Sequence, residues 1–433
     1  MSWKMTEYAG WGRALRAKGE IARPERQAQL AALAGAGPAV GMRRSYGDAC
    51  LADAGRVIDM TRLDRMLDFD PETGLLTVEA GARIGEIAAI FAPRGWLPPV
   101  MPGTGFATIG GCIAMDVHGK NHHQMGSFGN HVTSVTLLQP AGEVTAQPGT
   151  PLFRATLGGL GQTGVILRAT LRLMPCKGDV MLVTERRARD WDEHLSLLDA
   201  SEASYSVGWI DATATGKALG RGIVEEGETG AGLVRNRLKF RKVPFDAPHL
   251  ALARPVVRAF NAAYFARVPP RGRTLVKPIS DFFFPLDKIH DWNRLYGKRG
   301  FHQFQCVVPL AEAPALRLML DAIAGSGLAS PLAVLKRMGP GRAGYLSFPM
   351  QGYTLAVDFP ARAEAQLLIR RLEAMSAEAG GRIYFAKDSL AEGAAVRAMY
   401  PDLPDWQAET ARIDPERRLE TDLTRRLKLR NPA

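Results

Sequence analysis

MPGTGFATIGGCIAMDVHGKNHHQMGSFGNHV, residues 101–132, holds a Pro-Gly turn, a Gly-Gly pair and four of the chain's eight histidines. Gly103, Gly105, Gly110, Gly111 and Gly119 let the backbone approach a ligand closely or take positive φ. Thr104, Thr108 and Ser127 add hydroxyls. Backbone N–H groups exposed by such a run form a concave nest for phosphate. The stretch therefore predicts a pyrophosphate cradle with a histidine-bearing segment beside it. A second Gly-bracketed polar turn, GMRRSYGDA (41–49), contributes arginines. Two such segments in one half of the chain point to a dinucleotide.

Around these turns, short apolar runs alternate with loops. RVIDM (56–60), LLTVEAG (75–81), VTSVTLLQP (132–140) and VILRATLRLMP (165–175) predict strands. GEIAAIFAPRG (85–95) predicts a helix stopped by Pro and Gly. The mixture predicts an α+β domain rather than regular βαβ units. After Pro175 the texture changes. Strand-like runs resume at FHQFQCVVPL (301–310), LAVLKRM (332–338) and YTLAVDFP (353–360). A helix over 362–381 with a glycine C-cap follows, then a short strand, RIYFA, and a helical tail.

Bulk numbers narrow the function class. The 433 residues are 46% hydrophobic and 23% charged, which is globular. Four scattered cysteines without a CxxC pair argue against a zinc ribbon or a disulfide scaffold. The N-terminus has no apolar h-region of the Sec type, which with the sparse cysteines predicts a cytoplasmic protein. The net charge of +11 is concentrated. Residues 235–277 carry Arg235, Arg237, Lys239 and eight further basic residues against Asp246 alone, a balance of +10. Aromatic platforms and nucleic-acid motifs are missing, so no nucleic acid is expected. Phe240, Phe245, Leu250, Phe260, Tyr264 and Phe265 interleave with these charges. That mixture suits peripheral contact with an anionic lipid surface, and equally a solvated, mobile loop.

Three motifs have plainer readings. GLGQTG (159–164) matches GxGxxG, but the helix-like LFRATL precedes it and a strand-like run follows. A Rossmann fingerprint needs the opposite order, so a helix-to-strand turn is expected. His118, His122, His123 and His131 lie in a glycine-rich context with no HExxH carboxylate. No metal is predicted; one histidine should face a reaction centre and the rest make structural hydrogen bonds. Lys336, in the apolar run AVLKRMG, would carry a shifted pKa if it points inward. Gln303 and Gln305 alternate on one strand face, which could be the solvent side of an edge strand.

PGT…TIGG…DVHGKNHH…GSFGNHV, with RRSYGD before and FPLDKIHDWNRLYGKRGFHQFQ, LSFP…VDFP and YFAKDS after, resembles the decaprenylphosphoryl-β-D-ribose 2-oxidase family. These are vanillyl-alcohol-oxidase-like flavoproteins with a PCMH-type FAD domain. The resemblance implies two lobes, an FAD-binding domain (1–177 and 382–433) and a substrate domain with an antiparallel sheet (178–381). It implies FAD held by Ala39, Val40, Gly41, Met42, Arg43, Arg44, Ser45, Tyr46, Gly47, Asp48 and Ala49. Gly103, Thr108, Ile109, Gly110, Gly111, Met115, Asp116, Val117, His118, Ile166 and Tyr384 would complete that contact. His118 and Lys387 would be catalytic, and Lys120, Gln303, Gln305 and Lys336 would bind substrate. The implied activity is oxidation of the 2-hydroxyl of a polyprenylphosphoryl-β-D-ribose, with a separate NADH-dependent short-chain reductase completing epimerisation to the arabinose donor used in cell-wall synthesis. A flavin oxidase of a free sugar, alditol or aldonolactone is the alternative. Two departures stand out. Arg44 falls where sugar- and alditol-oxidase relatives carry a flavin-bonded histidine, so non-covalent FAD is expected. Ala356 falls where mycobacterial members carry a cysteine attacked by nitroaromatic inhibitors.

Overall fold

The computed structural model describes residues 2–233 and 240–430; Arg235, Arg237 and Lys239 lie outside them. The first lobe contains two sheets. The smaller has four strands in the order Lys4–Ala9, Arg16–Ala22, Arg56–Asp59, Ala39–Val40, with the last two interfaces parallel. The larger is a five-stranded antiparallel sheet: Met66–Asp70, Leu75–Glu79, Val165–Arg172, Val132–Gln139, Gly142–Ala146. Alternation puts Val135, Leu137, Val165, Leu167, Ala169 and Leu171 into one core with Leu76 and Val78. The helix Ile84–Phe91 buries Ile84, Ile87, Ala88 and Phe91 against it, and Gly95 at φ 84° turns the chain out. GLGQTG joins the helix Pro151–Thr156 to the strand Val165–Arg172, the reverse of a Rossmann turn.

The second lobe is a wholly antiparallel eight-stranded sheet. Its order is Arg273–Pro278, Val180–Ala188, Gly222–Gly230, Tyr205–Ile210, Ala333–Met338, Gly352–Pro360, Phe301–Val308, Arg382–Ile383. Helices Ala313–Ser326 and Ala363–Glu378 cover one face, burying Leu316, Leu320, Ile323, Ile369 and Leu372.

Three expectations need adjustment. The strand-like run after residue 381 is only Arg382–Ile383, and it pairs with Cys306 and Val307 of the second sheet. The tail beyond it shares its core with that lobe through Tyr400, Trp406 and Leu427, while Gln162 Nε2 donates to Leu419 O from the first lobe. The tail thus joins the lobes. Secondly, the strand Phe301–Val308 is interior and buried throughout, so Gln303 and Gln305 are not on a solvent edge. Thirdly, the basic segment is not a loop throughout. It builds the helix Arg254–Ala266 and the sheet-edge strand Arg273–Pro278. Buried Glu185 explains part of its charge, since it takes Arg267, Arg273 and Lys277 at 2.7–3.0 Å.

Candidate active site

Between the lobes lies a cavity of about 470 Å³. Its first wall is mostly backbone. The chain leaves the strand Ala39–Val40 through a turn with Arg43 at φ 49°. Gly41 sits against Thr108, so close that a Cβ there would meet Thr108 Oγ1 at 2.1 Å. Thr108 caps the helix Ile109–Ala114 by accepting from Gly111 N at 3.3 Å. A Cβ on Gly103 or Gly161 would point into open space. Among the described residues, no protein acceptor takes the backbone N–H of Met42, Arg43, Arg44 or Ser45.

Side chains add charge to this nest. Arg44 is sandwiched between Trp11 and Phe106, at 4.0 and 4.5 Å. Its Nε is buried without a hydrogen-bond partner, and the Nη1 of Arg43 makes none either, with the nearest carboxylate, Asp59, 3.9 Å away. Unpaired buried guanidinium N–H groups are costly unless an anion answers them. Free N–H groups, two arginines and bare glycines fit a pyrophosphate, so the wall fits FAD. The loop that would hold it is pinned from behind. Tyr46 N donates to Ala386 O at 2.8 Å, and Arg426 holds both Asp48 and Asp388, at 2.8 and 2.9 Å.

Most of the expected cofactor residues line the cavity: Ala39 to Tyr46, Ala49, Gly103, Thr108, Gly110, Gly111, Met115, Val117, His118, Ile166 and Tyr384. Gly47, Asp48, Ile109 and Asp116 do not. A Cβ on Gly47 would strike Asp388 O at 1.8 Å, so this glycine serves backbone packing. Asp48 is spent on Arg426, and Ile109 is core. Asp116 is fully buried and accepts from Ser127 Oγ, Ser347 Oγ and the N–H groups of Gly129 and Ala343. It fastens the GSFGNHV turn to the other lobe.

The second wall is made of side chains from distant strands. Gln303 and Gln305 come from the 301–308 strand, Lys336 from 333–338, and Thr354 and Ala356 from 352–360. His118, Lys120 and Lys387 join them. His118 is engaged at both ring nitrogens: Lys336 Nζ is 3.0 Å from Nδ1, and the Gln305 carboxamide is 3.0 Å from Nε2. The protonation of Lys336 therefore sets the tautomer of the ring. Burial, then the nearby Lys336 charge, keeps this imidazole well below its usual pKa. Burial, reinforced by Lys120 and Lys387, brings Lys336 down to about 7. Lys120 donates to Phe282 O at 2.5 Å, and burial lowers it to about 8 against the pull of Glu225.

Lys387 Nζ lies 3.4 Å from the centre of the Tyr46 ring. Burial lowers its pKa, opposed by the Asp358 carboxylate, whose own pKa burial raises. Asp358 accepts from Gln303 and from Tyr296 Oη, and Tyr296 also reaches Ser330. Sequence reasoning missed Asp358, although a carboxylate inside the apolar run LAVDFP was a usable signal. It also missed Trp209, Tyr264 and Asp287, which line the cavity.

The other histidines serve structure. His122 Nδ1 accepts from Gly339 N, His123 Nε2 faces Ala203 O and His131 Nε2 faces Met125 O. Together the two walls present an anion-binding backbone cradle facing a group of poorly hydrated amines and carboxamides. That arrangement can hold a flavin dinucleotide and take a proton from an alcohol.

Residues 36–147 match the family model described as an FAD binding domain. The chain is 38% identical to decaprenylphosphoryl-β-D-ribose oxidase of Mycolicibacterium smegmatis, over 90% of this chain and 88% of that protein. It is 35% identical to an uncharacterized protein from the mprA 5′ region of Streptomyces coelicolor, over 79% of this chain and 99% of that one. Identity is 25% to an L-gulono-1,4-lactone dehydrogenase of Mycobacterium tuberculosis, over 97% and 98%.

Proposed function

The chain belongs to the decaprenylphosphoryl-β-D-ribose oxidase family, and from that membership we propose that this FAD-dependent enzyme oxidises the 2-hydroxyl of a polyprenylphosphoryl-β-D-ribose to the 2-keto sugar. Bound FAD supplies the two-electron acceptor for the carbinol hydrogen. The chain's own residues position that carbon and receive the hydroxyl proton.

Lys387 is the proton acceptor in this reading, and the observation that carries it is its uncommitted amine. Among the described residues no acceptor hydrogen-bonds its Nζ, whereas both nitrogens of His118 are taken. Burial lowers its pKa toward the working range of a general base. Asp358, steadied by Gln303 and Tyr296, receives no proton in the step; it keeps the Lys387 pKa from falling further. Lys336, His118 and Gln305 form a connected chain that orients the sugar hydroxyls. Lys120 presents positive charge on the substrate side, matched to a phosphate ester. Arg43, Arg44 and the free N–H groups of 42–45 hold the pyrophosphate without a covalent link, so acid-precipitated protein should release all its flavin to the supernatant.

The keto product calls for an NADH-dependent reductase of the short-chain type to reach the arabinose epimer. The lipid-linked substrate also calls for peripheral contact with a bilayer. Among the described residues no helix is long and apolar enough to cross a membrane. Exposed Phe245 and Leu250, beside Lys242, Arg254 and Arg258, supply a mixed basic and apolar face. Removing the segment would also remove a strand of the sheet, so Arg254→Glu with Arg258→Glu is the cleaner variant. Loss of flotation on anionic vesicles is expected; unchanged flotation would remove the membrane proposal.

Anaerobic flavin bleaching tests the activity. A short-prenyl phosphoryl-β-D-ribose should bleach the flavin, while free sugars, alditols and aldonolactones should not. Bleaching by a free sugar or lactone alone would move the enzyme to the small-molecule oxidases.

A further inference from the structure

One side of the cavity has an aromatic corner. Trp209 and Tyr264 line it, with ring centroids 4.6 Å apart. Trp209 Nε1 donates to Pro331 O at 2.9 Å, which fixes the indole edge. Arg267 donates to Tyr264 Oη at 3.0 Å and lies over its ring at 4.3 Å, so the tyrosine is held as well. From there the apolar surface continues outward along the helix Arg254–Ala266. Phe260 stacks on Tyr264 at 6.0 Å with planes 17° apart. Val256 is one turn further along.

Val256, Phe260 and Tyr264 are spaced i, i+4, i+8, so they form one stripe. At 1.5 Å per residue the stripe spans roughly 12 Å. Its outer members are open: Phe260 is 51% and Val256 49% exposed. Surface position is not forced on them by a loosely held helix. Val257 and Asn261, on the adjoining face, are buried, and Asn261 Nδ2 donates to Asp211 Oδ1 at 2.7 Å. The helix is docked by one face and shows an aromatic stripe on another, continuous with the cavity wall.

We infer that the stripe Trp209–Tyr264–Phe260–Val256 is the groove in which the first isoprene units of the substrate lie as they leave the cavity. The inference rests on the polyprenylphosphoryl-ribose reading above. A sugar held against Lys387 must send its single apolar tail out of a cavity whose opposite wall is the polar cofactor nest. An aromatic row from the cavity lining to exposed Phe260 and Val256 meets that need, and each buried apolar contact adds affinity in proportion to its area.

The test compares two substrates in the same non-ionic detergent: the phosphoryl-β-D-ribose esterified with ethanol and the same headgroup on a four-isoprene chain. The readout is kcat/KM for anaerobic flavin bleaching. For Phe260→Glu we expect kcat/KM on the four-isoprene substrate to fall about tenfold or more, through KM. The ethyl ester should be unaffected, and Phe260→Leu should behave as wild type on both. An unchanged long-chain value, or equal loss on both substrates, would overturn the groove. Failure of the wild-type protein to oxidise either substrate would instead overturn the activity it rests on.

Discussion

The two walls of the cavity are built by different means. The cofactor wall comes from contiguous sequence, 39–46 and 101–118, and works through backbone: free N–H groups, glycines without neighbours and one left-handed arginine. The substrate wall comes from strands that lie next to one another only after folding, and it works through single side chains. Gln305 and His118 are 187 positions apart, and Lys336 and His118 are 218 apart. A backbone wall tolerates many side-chain changes but almost no change of shape. A side-chain wall tolerates small changes of shape but loses its chemistry with one residue.

Four experiments press on that contrast. The largest effect belongs to the substrate wall. Lys387→Met should retain flavin yet slow its reduction by substrate by about 10²–10⁴-fold, the usual worth of a positioned base. Stopped-flow bleaching measures it, and a loss under tenfold would assign the proton to another group.

Next comes the cofactor wall. Gly41→Ala places a methyl against Thr108, with no room behind it. Overpacking of this kind costs about 1–3 kcal/mol. A lowered Tm and flavin lost on gel filtration are expected; a variant that keeps both would show that the cradle yields to a methyl group.

A third measurement separates the walls by pH. Lys336 titrates near 7 in the folded chain and near 10.4 when unfolded. Between those values the unfolded chain binds more protons, so stability rises as pH rises from 7 toward 10 and is lost as pH falls. Lys336 is only half-buried where it faces the cavity, so solvent screening reduces the effect to the order of 1 kcal/mol. Urea unfolding of flavin-free protein at pH 7 and pH 9 should show that gain, and Lys336→Met should reduce it. An equal slope in the variant would assign the effect elsewhere.

The smallest effect is at Ala356, opposite Gln305 across the strand pair and on the cavity wall. The wild-type protein should gain no mass from a nitroaromatic inhibitor after turnover. Cys50 also lines the cavity, but burial pushes its thiol up to about 12, which leaves little thiolate. Ala356→Cys should gain one adduct by intact mass with turnover changed less than about tenfold. An adduct on the wild type would mean that one of the four native cysteines reacts, which peptide mapping would assign.

The same contrast decides what could be read in advance. The cofactor wall was legible because its elements are local: GMRRSYGDA and PGTGFATIGG announce themselves by glycine and hydroxyl content. The strands Val165–Arg172, Phe301–Val308 and Gly352–Pro360 were legible by apolar runs. Four strands of the large sheet, Val180–Ala188, Tyr205–Ile210, Gly222–Gly230 and Arg273–Pro278, were not. Glu185, Arg186 and Arg187 break the apolar rhythm of the first and Glu225 and Glu226 that of the third; Glu185 can be buried there because it pairs with cations from Arg267 to Lys277. Asp116 was read as a cofactor contact because it sits inside the most telling motif. Its neighbours Ser347 and Ala343, more than two hundred positions away, are what give it a structural task.

Arg426 has a consequence in time. It ties Asp48, behind the cofactor loop, to Asp388, next to Lys387, and it stands 378 positions after Asp48. At ~5–20 residues per second, a ribosome needs roughly twenty to seventy-five seconds to travel from one to the other. For that interval Asp48 is synthesised but lacks its clasp. The clasp between Asp48 and Asp388 is thus among the last contacts of this site to be made.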